Sequence, residues 1–94
     1  MFVIILKYLA ALEVMDSYRG AHLEYLDKYY TMGLLLASGR KDTGDGGVII
    51  GIFQSKVEVD EFIRSDPFYQ EGIAEYQVHQ FSPTKFNEVL KDLL

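Results

Sequence analysis

Two runs of residues set the terms on which this chain can fold. Phe2-Val3-Ile4-Ile5-Leu6-Lys7-Tyr8 and Val48-Ile49-Ile50-Gly51-Ile52-Phe53 are rich in β-branched and aromatic residues, the composition of strands. In both, apolar residues occupy successive positions rather than alternate ones. Neighbouring side chains on a strand point to opposite faces, so each run demands cover on both sides of its sheet. A chain of 94 residues has to place helices on one face and find something further for the other.

The rest of the chain supplies those helices. After a linker over residues 9–12, Met15, Tyr18, Tyr25, Tyr29 and Met32 recur in steps of three and four, and predict a helix over residues 13–32 capped by Gly33. His22 fills the gap in that series, four after Tyr18 and three before Tyr25. Gly20, inside the helix, either admits another backbone or is simply tolerated. A short strand over residues 34–39, a glycine-rich polar stretch over 40–47 and the strand 48–53 read as a hairpin with a long tip. Ser55 and Glu58 match a capping box, in which the carboxylate reaches back to the cap, and open a helix to Arg64 that buries Val59, Phe62 and Ile63. Pro67 interrupts it; a turn over 67–71 closes at Gly72, and residues 74–81 form a fourth strand. Ser82 and Pro83 predict a last helix with the stripe Phe86, Val89, Leu90 and Leu93.

The order β-α-β-β-α-β is that of an α+β, ferredoxin-like domain spanning residues 1–94, with a four-stranded antiparallel sheet and two helices on one face. Its second face has to be covered by the C-terminal helix or by another copy of the chain, and a homodimer is expected. Nine basic residues, scattered within a net charge of −5, argue against nucleic acid as a partner. The chain contains no cysteine, which excludes thiolate catalysis and sulfur-ligated metal. The apolar run at its start lacks a basic leader and falls short of the ~20 residues that span a bilayer. A cytoplasmic location, away from any membrane, is the simplest expectation.

Helical periodicity turns His22 towards the core or a pocket beside it, where each ring nitrogen needs a partner. A satisfied core histidine is the plainer reading. Asp66 before Pro67 is a standard helix start, yet a capping carboxylate keeps one oxygen free to meet an imidazole. Both helices lie on the same face, so a His22–Asp66 pair that orients a general base is geometrically open. Arg19 is suited to a substrate carboxylate, or is merely solvated; Ser38 and Gly39 line a pocket, or merely end a strand. The glycines of 44–47 lack the spacing of a phosphate loop, and His79 has no neighbour at metal-ligand spacing.

Taken together, Arg19-x-x-His22-Leu23-x-Tyr25-Leu26, Ser38-Gly39 and Asp66-Pro67-Phe68 with Gly72 beyond resemble the YciI-like, or YCII-related domain, family. The resemblance runs from Phe2 to Phe81 and departs at Arg40, where members often carry proline. It implies a ferredoxin-like fold, dimers built as an α/β barrel, and an active site of His22 and Asp66 with Ser38 close by. Dehydrochlorinase and muconolactone-isomerase-like relatives imply proton transfer on small cyclic or aromatic acids. The expectation is therefore a small lyase or isomerase without cofactor or metal. His22 and Asp66 would be catalytic, and Arg19, Ser38, Gly39 and Phe68 would bind a small anionic substrate. The alternatives are a dimeric module that binds a small ligand without turning it over, and a cofactor-less monooxygenase.

Overall fold

The computed structural model describes residues 1–94. The chain runs β1 (Phe2–Tyr8), α1 (Leu12–Thr31), β2 (Leu35–Arg40), β3 (Gly46–Gly51), α2 (Lys56–Arg64), α3 (Pro67–Gln70) and β4 (Ala74–Gln80). Its four strands form one antiparallel sheet in the order β2-β3-β1-β4. This is the expected ferredoxin-like arrangement.

Phe2, Ile4 and Leu6 of β1, Ile49 of β3 and Leu35 of β2 point to the helical side. They pack there against Met15 and Leu26 of α1, Val59, Phe62 and Ile63 of α2, and Phe68 of α3. Leu26 is part of the buried face of α1, whereas Met32, expected there, is 61% exposed. Phe53 and Phe62 stack and tilt against Tyr25 and Tyr29 beneath the helices. The opposite face carries Val3 and Ile5 of β1 beside Val48 and Ile50 of β3, all partly exposed and covered by no helix.

The helices α1 and α3 end by the same device. Gly33 and Gly72 have φ of 76° and 67°, a left-handed conformation that costs glycine little. After α1, the Gly33 and Leu34 amides donate to the Tyr30 and Tyr29 carbonyls; after α3, the Gly72 and Ile73 amides donate to those of Tyr69 and Phe68. These are Schellman caps, which satisfy the last helical carbonyls. At the start of α2 the Ser55 hydroxyl accepts from the Glu58 amide, but the return bond of a capping box does not form.

Two expectations need correction. The hairpin tip is short, because β2 continues to Arg40 and β3 begins at Gly46. Gly46 lies opposite Lys7, where a Cβ would collide with the Leu6 carbonyl oxygen. The glycine here permits close pairing of strands rather than a flexible loop. The C-terminal helix is absent, and only Glu88–Leu90 form a single 3₁₀ turn. Phe86, Val89 and Leu93 stay 47%, 81% and 49% exposed. A segment this short has little intrinsic helicity without a surface to bury its stripe against.

Candidate functional site

His22 and Asp66 meet in the inner layer. Asp66 caps α3, its Oδ1 accepting from the Phe68 amide at 3.1 Å, and the same oxygen lies 2.8 Å from His22 Nδ1. Its other oxygen accepts from the Tyr76 hydroxyl at 2.7 Å. The carboxylate is completely buried and the imidazole 8% exposed. Three donors on one buried carboxylate offset the cost of removing it from water. A carboxylate oxygen accepts, so Nδ1 carries the hydrogen and the neutral ring keeps its lone pair on Nε2.

Nothing in the protein bonds to Nε2. Every fully buried side-chain nitrogen or oxygen has a partner, so this atom is open to the space beside it. That space is a cavity of about 110 Å³ between α1 and the β1, β3 and β2 strands. Phe68 stacks on the imidazole, with centroids 4.1 Å apart and planes 7° from parallel, so one face of the ring is occupied. The imidazole is held through Nδ1 by the Asp66 oxygen and on one face by Phe68, and its Nε2 edge remains free.

Of the other residues expected in a site, Arg19, Ser38, Gly39 and Phe68 also line this cavity, and Asp66 stands behind it. Arg19 is exposed and makes no ion pair. Ser38 shares a hydrogen bond of 2.7 Å with the Tyr30 hydroxyl. Three further residues belong to the arrangement. Tyr76 fixes Asp66 from below, and Tyr8 and Arg40 reach the cavity from the ends of β1 and β2. Burial, then the neighbouring Asp66 carboxylate, drive the Tyr76 phenol far above the ordinary tyrosine range, so it stays a donor. A larger, open groove of about 900 Å³ runs along β4 and α2 past Tyr76, Arg64 and Lys56. It contains neither member of the His-Asp pair, so size alone does not mark the chemistry. No three histidine or acidic side chains converge as a metal-binding group.

The family model of the YCII-related domain matches residues 1–82. The chain belongs to this family. Its match stops short of the segment with the single 3₁₀ turn, and includes His22, Asp66 and the whole sheet. Among solved structures, the chain is similar to 5-chloro-2-hydroxyhydroquinone dehydrochlorinase from Burkholderia phenoliruptrix AC1100, in complex with 2,5-dihydroxybenzoquinone. The two share 24% identity at a TM-score of 0.71, over 87% of this chain and 94% of that one. That likeness establishes a shared fold. No curated protein matches the chain by sequence. No helix is long and apolar enough to cross a membrane.

Proposed function

We propose that this YCII-domain protein is a small enzyme that moves a proton on a compact organic acid or oxygenated ring, using only its own side chains. The observation that carries this is the His22–Asp66 pair, one ring nitrogen tied to a buried carboxylate and the other open to a cavity. His22 Nε2 takes the proton, and Asp66 holds the ring in that tautomer and stabilises the imidazolium that forms. The same nitrogen returns the proton at another position in an isomerase, or the departure of an anion completes the step in a lyase. Arg19 supplies a cation for an acidic substrate. Phe68 and the aliphatic wall keep water from the base. A volume near 110 Å³ suits one small ring rather than a polymer or a nucleotide. The dehydrochlorinase with its quinone ligand supports the same substrate class.

The bare outer face of Val3, Ile5, Val48 and Ile50 supports a second copy of the chain as its cover, giving a two-fold dimer.

Chlorinated and unchlorinated hydroxyquinols, screened for chloride release and for solvent proton exchange, test the reading. His22→Gln is expected to lose roughly 10²–10⁴-fold in kcat. Wild-type turnover in His22→Gln would overturn the assignment of the base. Tight binding of a ring that is always recovered unchanged, without proton exchange, would instead make the cavity a ligand-binding site.

A further inference from the structure

A second set of polar side chains meets the cavity from the sheet, and the proton-transfer reading leaves it unused. Arg40, Gly47 and Leu6 lie in line across β2, β3 and β1 on the helical face, and Tyr8 is the next inward position after Leu6. Gly47 presents no side chain at the middle of this line. The Arg40 Nε donates to the Tyr8 hydroxyl at 3.4 Å, with the guanidinium carbon 5.5 Å from the centre of the Tyr8 ring. Its Nη2 donates to Asp16 on α1 at 2.6 Å. Arg40 thus spans the cavity from sheet to helix.

What remains unbonded is informative. The Tyr8 oxygen accepts from Arg40, and no protein group accepts the Tyr8 hydrogen. The Nη1 edge of Arg40 has no protein acceptor either. Both residues line the same cavity as His22 Nε2. Phe68 joins the two ends, touching the imidazole face to face and Tyr8 edge to face at 6.1 Å. A hydroxyl and a guanidinium with unspent donors, fixed side by side in the cavity wall, are suited to a negatively charged oxygen.

We propose that Tyr8 and Arg40 form an oxyanion-binding pole of the cavity, which selects hydroxylated quinones or quinols carrying an ionised ring oxygen. This rests on the reading of the cavity as the substrate site. Tyr8 donates its hydrogen to the ring oxygen, Arg40 supplies the charge and holds the phenol, and the ring lies against Phe68 within reach of Nε2. Asp16 is a positioning residue that keeps the guanidinium across the mouth. A Cβ at Gly47 would stand 3.1 Å from the Gly39 carbonyl oxygen and in ordinary contact, 3.8 Å, with the Tyr8 oxygen, so this glycine eases the pairing of β2 with β3.

Calorimetric titration with two probes tests this. One is 2,5-dihydroxybenzoquinone, ionised at neutral pH; the other is hydroquinone, smaller and neutral there. The wild type is expected to bind the anion at least ~10-fold more tightly, and Tyr8→Phe and Arg40→Gln each to reduce that ratio by ~10-fold. Arg40→Lys, which keeps the charge but loses the fork, is expected to fall between. Tyr8→Phe preserves the ring contacts, so it decides the matter if Arg40→Gln does not fold. Equal binding of both probes by the wild type would overturn the proposal, as would no binding of the quinone at millimolar concentration. Unchanged selectivity in both variants, with turnover still lost in His22→Gln, would remove the pole and leave the base standing.

Discussion

Asp66 bears more of this molecule than any other single side chain, because the same two oxygens cap α3, hold His22 and receive Tyr76. The cleanest way to perturb it is from the Tyr76 side. Tyr76→Phe keeps the ring and strands one oxygen of a buried carboxylate, at an expected cost of about 2 kcal/mol in urea unfolding. The pH dependence of that cost has a definite sign. A phenol whose pKa is raised on folding binds its proton more tightly in the native state. Its contribution is complete below the unfolded value of about 10 and declines as pH rises from there towards the folded value. The gap between wild type and Tyr76→Phe should therefore be constant from neutrality to about pH 10 and narrow above it. A gap that changes between neutrality and that point would refute the account. His22 and Asp66 stood out in the sequence because helical spacing and the Asp-Pro step are local signals. Tyr76 did not, since its hydroxyl finds Asp66 only through the inward register of β4 opposite Leu6. Tyr8 and Arg40 were hidden likewise, their meeting depending on the strand register that sets Arg40 and Leu6 on either side of Gly47.

At the scale of elements, the sequence spoke plainly where a pattern was self-contained. The stripe of α1, the Ser55 cap of α2, the Asp66-Pro67 start of α3 and the alternation of β4 all carry their own signature. Glycines were harder to read, because one residue type serves opposite purposes. Gly46 and Gly47 resembled loop residues yet stand inside β3, Gly46 without room for a side chain against β1 and Gly47 tight against β2. Gly20 in α1 has open space around it, which settles the earlier ambiguity in favour of tolerance. The two are expected to respond oppositely to the same added methyl. Gly20→Ala should stabilise by about 1 kcal/mol through helix propensity. Gly46→Ala should destabilise by about 2–3 kcal/mol, since backbone must shift to admit it. Denaturant midpoints of the two variants check both, and a stabilised Gly46→Ala would mean that the β1–β3 register is wrong. The C-terminal stripe was misread for a different reason: amphipathic spacing records the face a helix would bury, and nothing in this chain receives that face.

The whole molecule is a two-layer body with one finished side. Its helical layer buries a continuous core, while Val3, Ile5, Val48 and Ile50 form an apolar patch bordered on β4 by Glu75, Gln77 and His79. An apolar centre with a polar rim is the pattern of a surface made to be covered. Ile5 sits centrally, opposite Val48 on one side and Gln77 on the other. Ile5→Asp is expected to shift the sedimentation coefficient from that of a dimer to that of a monomer without loss of helical signal. A wild type that sediments as a monomer at micromolar concentration would count against the second copy. The fixed and free parts of the cavity also differ in how they can change over generations. Any replacement of Asp66 disturbs the cap of α3 together with the hold on His22, so a lineage cannot adjust that pair there without risking the fold. Ser38 and Arg40, on the edge strand β2, are anchored only by exposed or half-buried side-chain bonds to Tyr30, Tyr8 and Asp16. Laboratory evolution that leaves Asp66, Phe68 and Tyr76 alone, keeps Leu35 in the core and randomises only Ser38 and Arg40 is expected to alter what the cavity accepts while most of its library still folds.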